Sequence, residues 1–197
     1  VTRTEIINEV VSLTDREDLA ATSIPTMVTA ATLRMHQSDF YSRDLAEDML
    51  DLGTEGFHFS FDASTTFPRF RALHYLRKYD LTGETAGVML SHLDPLSLFD
   101  SYGVEKNDVW YNAGKNINIR SASSLRYLLA GWYQNPDTSA TGYSSWIADM
   151  VPHAIIFDAA SLVFNMIAQQ EQSRKFDSLV AEQLVLVRMH GFDARGY

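Results

Sequence analysis

The hydrophobic period switches twice along the chain, and that switch constrains the fold more than any single motif. Near the start, Ile6, Ile7, Val10 and Val11 share one helical face, and Ile24, Met27, Val28, Ala31 and Met35 make a second stripe. In the middle the period drops to two: Phe57, Phe59 and Phe61 alternate with His58, Ser60 and Asp62, the mark of a half-buried strand. Helical spacing then returns with Ile155, Ile156, Ala159, Ala160, Val163 and Ile167, followed by Phe176, Leu179, Val180, Leu184 and Val187. The expected fold class is α+β. Residues 1–38 and 144–197 are read as a helical bundle formed by both chain ends, and residues 39–143 as an inserted, antiparallel β-rich domain.

Local signals sharpen these elements. Thr2 and Glu5 have capping-box spacing, and Thr14 and Glu17 repeat it. Pro25 suits the first turn of a helix, where its missing N–H costs nothing. Strands are predicted over 67–79, 108–111, 117–120 and 125–133, and a short helical turn is started by Asp94 with Pro95 behind it. The stretch 153–168 is apolar almost all round, which requires burial on several sides, within the fold or by a neighbouring subunit. A last helix is predicted over 175–190, with Gly191 as its C-cap.

Composition removes whole classes of chemistry. The 197 residues contain no cysteine, which excludes a disulfide framework, a thiolate nucleophile and a Cys-ligated metal. Net charge is −9, a poor balance for gripping a phosphate backbone. No stretch has the apolar length of a membrane span, and the N-terminus lacks the basic-then-apolar layout of a secretory signal. No P-loop, dinucleotide fingerprint, G-x-S-x-G elbow or H-E-x-x-H pattern occurs. His58 and His74 with Asp62 are the one conceivable metal set, but sheet histidines bonded to neighbours account for them better, so neither metal nor cofactor is expected.

Charge is also patterned. Asp39, Asp44, Glu47, Asp48, Asp51 and Glu55 form an acidic run of the kind that makes a solvated face. Arg69, Arg71, Arg77 and Lys78 form a basic stripe, and the odd spacing of Arg69, Arg71 and Arg77 places those three on one strand face. Asp44, Asp48 and Asp51 on one copy facing Arg69, Arg71 and Arg77 on another would make an intersubunit charge pairing. The aromatics Trp110, Tyr111, Trp132, Tyr133, Tyr143 and Trp146 offer either a core or a stacking platform for sugars.

Several runs together resemble a known family. They are 98–103 (LFDSYG), 110–114 (WYNAG), 117–120 (NIR after Ile117), 129–136 (LAGWYQNP), 145–148 (SWIA), 154–164 (AIIFDAASLVF) and 182–191, with 4–11 (TEIINEVV) and 30–33 (AATL) at the start. In this order they are similar to the head-to-tail adaptors of tailed bacteriophages, including the tail tubular type of short-tailed phages. The resemblance spans most of the chain, residues 80–95 apart.

It implies a non-enzymatic virion protein in the neck between capsid and tail, present in host cytoplasm during assembly. It further implies a homo-oligomeric ring of about twelve copies that joins the portal protein to tail or nozzle proteins. DNA would pass through the ring without being specifically bound. The family's C-terminal tail docks on the portal, which points here to Phe192, Arg195 and Tyr197. No catalytic residue is implied. The competing readings are another tail or baseplate component, a carbohydrate-binding module using exposed aromatics, and, last, a two-carboxylate hydrolase.

Overall fold

Thr2 opens the first helix with both halves of a capping box: its hydroxyl accepts the Glu5 N–H, and the Glu5 carboxylate accepts the Thr2 N–H. Helix α1 (Arg3–Thr14) ends at Asp15 in the left-handed region, and α2 (Ser23–Gln37) carries Pro25 in its first turn. The second expected cap is not formed, because the Thr14 hydroxyl turns back to the Val10 carbonyl. The computed structural model describes residues 1–99 and 103–192 and divides the chain into two compact units, Val1–Asp44 with Asn135–Tyr197, and Leu45–Gln134.

In the first unit, α4 (Trp146–Met150), α5 (Pro152–Met166) and α6 (Gln170–Phe192) join α1 and α2. The core is built from Ile6 and Val10 of α1, Val28 and Met35 of α2, Ile155, Ala159 and Val163 of α5, and Val180 and Val187 of α6. Burying each Val or Ile in such a core contributes about 1.5–3 kcal/mol. Helix α5 packs against α1, α2, α4 and α6, which cover most of its apolar surface within this unit, Met166 at its end being exposed. Residues 39–44 lie here too, with Tyr41 buried in the core.

Gly191 is not a C-cap. It lies inside α6, and a Cβ built on it would stand 2.2 Å from Cδ1 of the Tyr41 ring. A glycine there lets helix and ring touch.

In the second unit, β1 (Leu45–Asp62) leads through the short helix α3 (Ala63–Thr66) to β2 (Phe70–Tyr79), β3 (Ala86–His92), β4 (Val109–Ala113) and β5 (Asn116–Gln134). Strand β5 is the spine. Its first half pairs with β4 and the end of β1, and its second half with β2 and the start of β1. Strand β2 then pairs with β3, and β3 with β4, which closes β5, β2, β3 and β4 into a ring with β1 as an extra strand on β5. Leu76, Leu90, Ile117, Ile119, Leu125 and Leu128 fill it.

The fold class therefore differs from the expectation. The described residues form a mixed α/β fold with a closed four-stranded barrel plus one strand; a chain-end bundle carrying an antiparallel insertion is not what they show. The β3–β4 pairing is parallel, with Ser91 opposite Val109 and His92 opposite Trp110. Parallel neighbours need a long connection, and residues 93–108 supply it, including the turn Pro95–Ser97 capped by Asp94 as predicted. Side-chain alternation announces a strand but carries no information on the direction of its partner or on closure.

Candidate functional site

The acidic run does not form one solvated face. Asp44 is only 4% exposed. Its Oδ1 accepts from Nδ1 of His36 at 2.8 Å and from the Trp146 indole N–H at 2.7 Å, which takes it out of any pairing between subunits. Asp51 is held within its own chain: it accepts from the Arg126 guanidinium at 3.1 Å through both oxygens and from the Gly53 N–H at 2.8 Å, and these bonds lower its pKa. Asp48 is exposed and accepts from the Met49 N–H next to it.

The basic stripe also breaks up. Arg69 precedes β2, has φ 51°, and donates to Gln134. Two register shifts, between Phe70 and Ala72 and between Leu73 and Tyr75, interrupt the alternation, so odd spacing no longer puts Arg69, Arg71 and Arg77 on a common face. Arg77 sits regularly in β2 opposite Met89 and Leu129, and Arg71 is half-buried. Lys78 is buried, donating to Asp108 at 2.6 Å and to the Ser121 and Ser123 hydroxyls at 3.2 and 3.1 Å. It fills the place where β5 changes partners. Of the portal-facing candidates, Phe192 packs half-buried against the Tyr41 ring at 5.7 Å, while Arg195 and Tyr197 lie outside the described residues.

A constellation that sequence reading missed stands beside Asp44. Ser145, the N-cap of α4, accepts the Ala148 N–H at 3.1 Å, and its hydroxyl lies 2.8 Å from Nε2 of His36. With Asp44 ionised, Nδ1–H donates to it, leaving Nε2 to accept the Ser145 hydroxyl proton. Serine, histidine and aspartate thus line up in the order of a hydrolase triad.

All three lie in the interior of the first unit. His36 is 2% exposed and Ser145 4%, and none of the described cavities is lined by any of the three. The serine oxygen is already committed to capping α4. Asp44 Oδ1, the His36 ring, the Ser145 hydroxyl and the Trp146 indole bond to one another, while Asp44 Oδ2 has no partner among the described residues; the contacts join α2, α4 and the Ser42–Asp44 turn. Sequence spacing offers nothing that joins them, because His36 and Ser145 lie 109 positions apart.

Of the aromatics in the sugar-platform reading, two tryptophans lie in the core of the barrel unit. Trp110 and Trp132 are buried, Trp132 stacking on Phe67 at 4.7 Å and donating to the Pro68 carbonyl. Trp146 is half-buried and meets the His36 and Tyr41 rings edge-on. His58 faces Arg120, with 2.9 Å between ring and guanidinium nitrogens, and His74 sits against the Tyr75 and Tyr133 rings. Among the described residues, no three His, Asp or Glu side chains converge as a metal site would need.

What the surface does present is apolar. On α6, Val185, Leu186 and Met189 (59% exposed) point outward from the helix's final turns. In the β3–β4 connection, Leu96 is 95% exposed and Phe99 is exposed beside it. No described helix is long and apolar enough to cross a membrane. In comparisons with known proteins, no protein-family model matches the chain and no characterised protein shows significant similarity to it.

Proposed function

We propose that the chain is a structural subunit of a tailed-phage neck: a head-to-tail adaptor that forms a ring of about twelve copies between the portal and the tail or nozzle proteins. The observation that carries the reading is the placement of bulky apolar side chains in solvent, Val185, Leu186 and Met189, on a helix, α6, that packs through Phe176, Val180 and Val187. Exposed apolar groups at helical spacing suit a surface covered on assembly. The triad-like set His36, Asp44 and Ser145, by contrast, is buried. Net charge −9 suits a channel wall past which DNA slides without adhering. On this reading the protein belongs to the virion, and to host cytoplasm while the particle is built.

Gradient sedimentation with portal rings from the same source tests it. Co-migration at a fixed, near-equimolar ratio is the expected result. If the protein stays at the top of the gradient at concentrations of about 50 μM, a portal-binding role is lost. Recovery with tail or baseplate proteins instead would favour the second structural reading.

A further inference from the structure

The barrel unit holds a cavity of about 500 Å³ between the start of β2 and the β4–β5 turn. Part of its wall is apolar: Trp110 is buried and Phe70 half-buried. Its polar lining is all donors or neutral groups. His74, His92, Asn112 and Lys115 are exposed there, and half-buried Arg71 lines the cavity beside them. No acidic side chain lines the cavity among the described residues.

The side-chain nitrogens of His74, His92, Asn112 and Lys115 make no hydrogen bond among the described residues. The His92 ring is held instead by its face, 4.3 Å from the Trp110 ring centroid, which fixes its plane and leaves its nitrogens for another partner. Lys115 is anchored through its backbone, whose carbonyl accepts the Ala63 N–H at 3.2 Å. The neighbouring acid, Asp62, has its Oδ1 occupied by the Ser64 N–H and hydroxyl, and the nearby Lys115 ammonium helps to lower its pKa. A group that satisfies an ammonium, two imidazoles and a carboxamide together must be rich in acceptors and negatively charged. A phosphate group has that character, and the volume leaves room for an organic body against Trp110 and Phe70.

We propose that this cavity is an oxyanion site that binds a phosphate group, either as the free ion or as a small phosphate ester. The site lies within the barrel unit and is independent of the assembly surface on α6.

Amide and indole NMR of the full chain, titrated at constant ionic strength with inorganic phosphate, adenosine monophosphate and adenosine, tests it. Phosphate and the monophosphate should each give saturable shifts at Asn112, Lys115 and the Trp110 indole N–H, and adenosine none. Tighter binding of the monophosphate identifies an ester as the source, and equal binding the free ion. Lys115→Met and His92→Phe should each weaken binding about tenfold, while Lys175→Met on α6 leaves it unchanged. Because Lys115 and His92 are exposed, neither change threatens the fold. The proposal is overturned by shifts that do not saturate below about 20 mM, by equal response to adenosine, or by an affinity that ignores both cavity variants.

Discussion

At the scale of single residues, two positions carry more than their size suggests. The first is Gly191, whose missing side chain makes room for the Tyr41 ring. Gly191→Ala should lower stability by about 1–3 kcal/mol, read as a drop in urea midpoint, because the ring cannot shift inside a filled core. Adding Tyr41→Leu to that variant should recover part of the loss; no recovery would mean that the contact is not the cause. The second is His36, which bridges Ser145 and Asp44. His36→Phe leaves a buried carboxylate short of a donor and should cost about 2–4 kcal/mol, whereas Ser145→Ala removes chiefly a helix cap, at about 1 kcal/mol. That ranking separates a structural network from a catalytic one. A nucleophile would instead show covalent labelling of Ser145 by an active-site phosphonate, with stability hardly changed.

At the scale of elements, the meeting of α2, α5 and α6 contains an electrostatic cost. Asp158 of α5 is 1% exposed; Arg34 of α2 lies 3.1 Å from one of its oxygens, and the other has no partner among the described residues. Burial pushes its pKa up to about 6, with Arg34 opposing and Asp177 of α6 adding to the rise. Unfolded, the group titrates near its ordinary value of 3.8. Between those two values the folded state holds a proton that the unfolded state has released. The contribution is therefore full below pH 4 and is lost as pH rises through 6, a change of about 3 kcal/mol. Asp158→Asn should raise the urea midpoint at pH 7.5 and leave it unchanged at pH 4; an equal effect at both values would remove the buried charge as its cause.

The same helices show which parts of the fold were legible in the sequence. The Thr2–Glu5 cap, the Asp94 turn and the apolar faces of α1, α2, α5 and α6 are local, and local spacing reports them. Closure of the barrel, the parallel β3–β4 pair and the His36–Ser145 contact depend on residues far apart in the chain, where period and composition are silent. Lys78 shows the cost of that silence. Its charge reads as surface, yet the bend of β5 buries it between Asp108, Ser121 and Ser123. Of the candidate site residues, Asp48 and Arg69 are exposed as an outward-facing pair would require, whereas Asp44 is claimed by the core.

At the scale of the whole molecule, the exposed side chains of α6 set what assembly must do. Val185 and Met189 are one helical turn apart, with Leu186 beside them, so they present one continuous strip. Val187, between them in sequence, is fully buried and anchors the opposite side of the helix. Charge can therefore be placed on the strip without entering the core. Val185→Glu with Met189→Glu should leave thermal unfolding within about 0.5 kcal/mol of the parent, as surface changes do. In an adaptor ring each copy uses the strip once, so two buried, unpaired carboxylates recur at every interface, each costing several kcal/mol. If the proposed adaptor role holds, the parent protein should co-migrate with portal rings and the variant should not. A variant that still co-migrates with the portal would move the contact away from α6 to the other apolar surface, around Leu96 and Phe99. Leu96→Glu then becomes the discriminating change, because that side chain touches almost nothing within its own subunit and any loss of co-migration reports a partner.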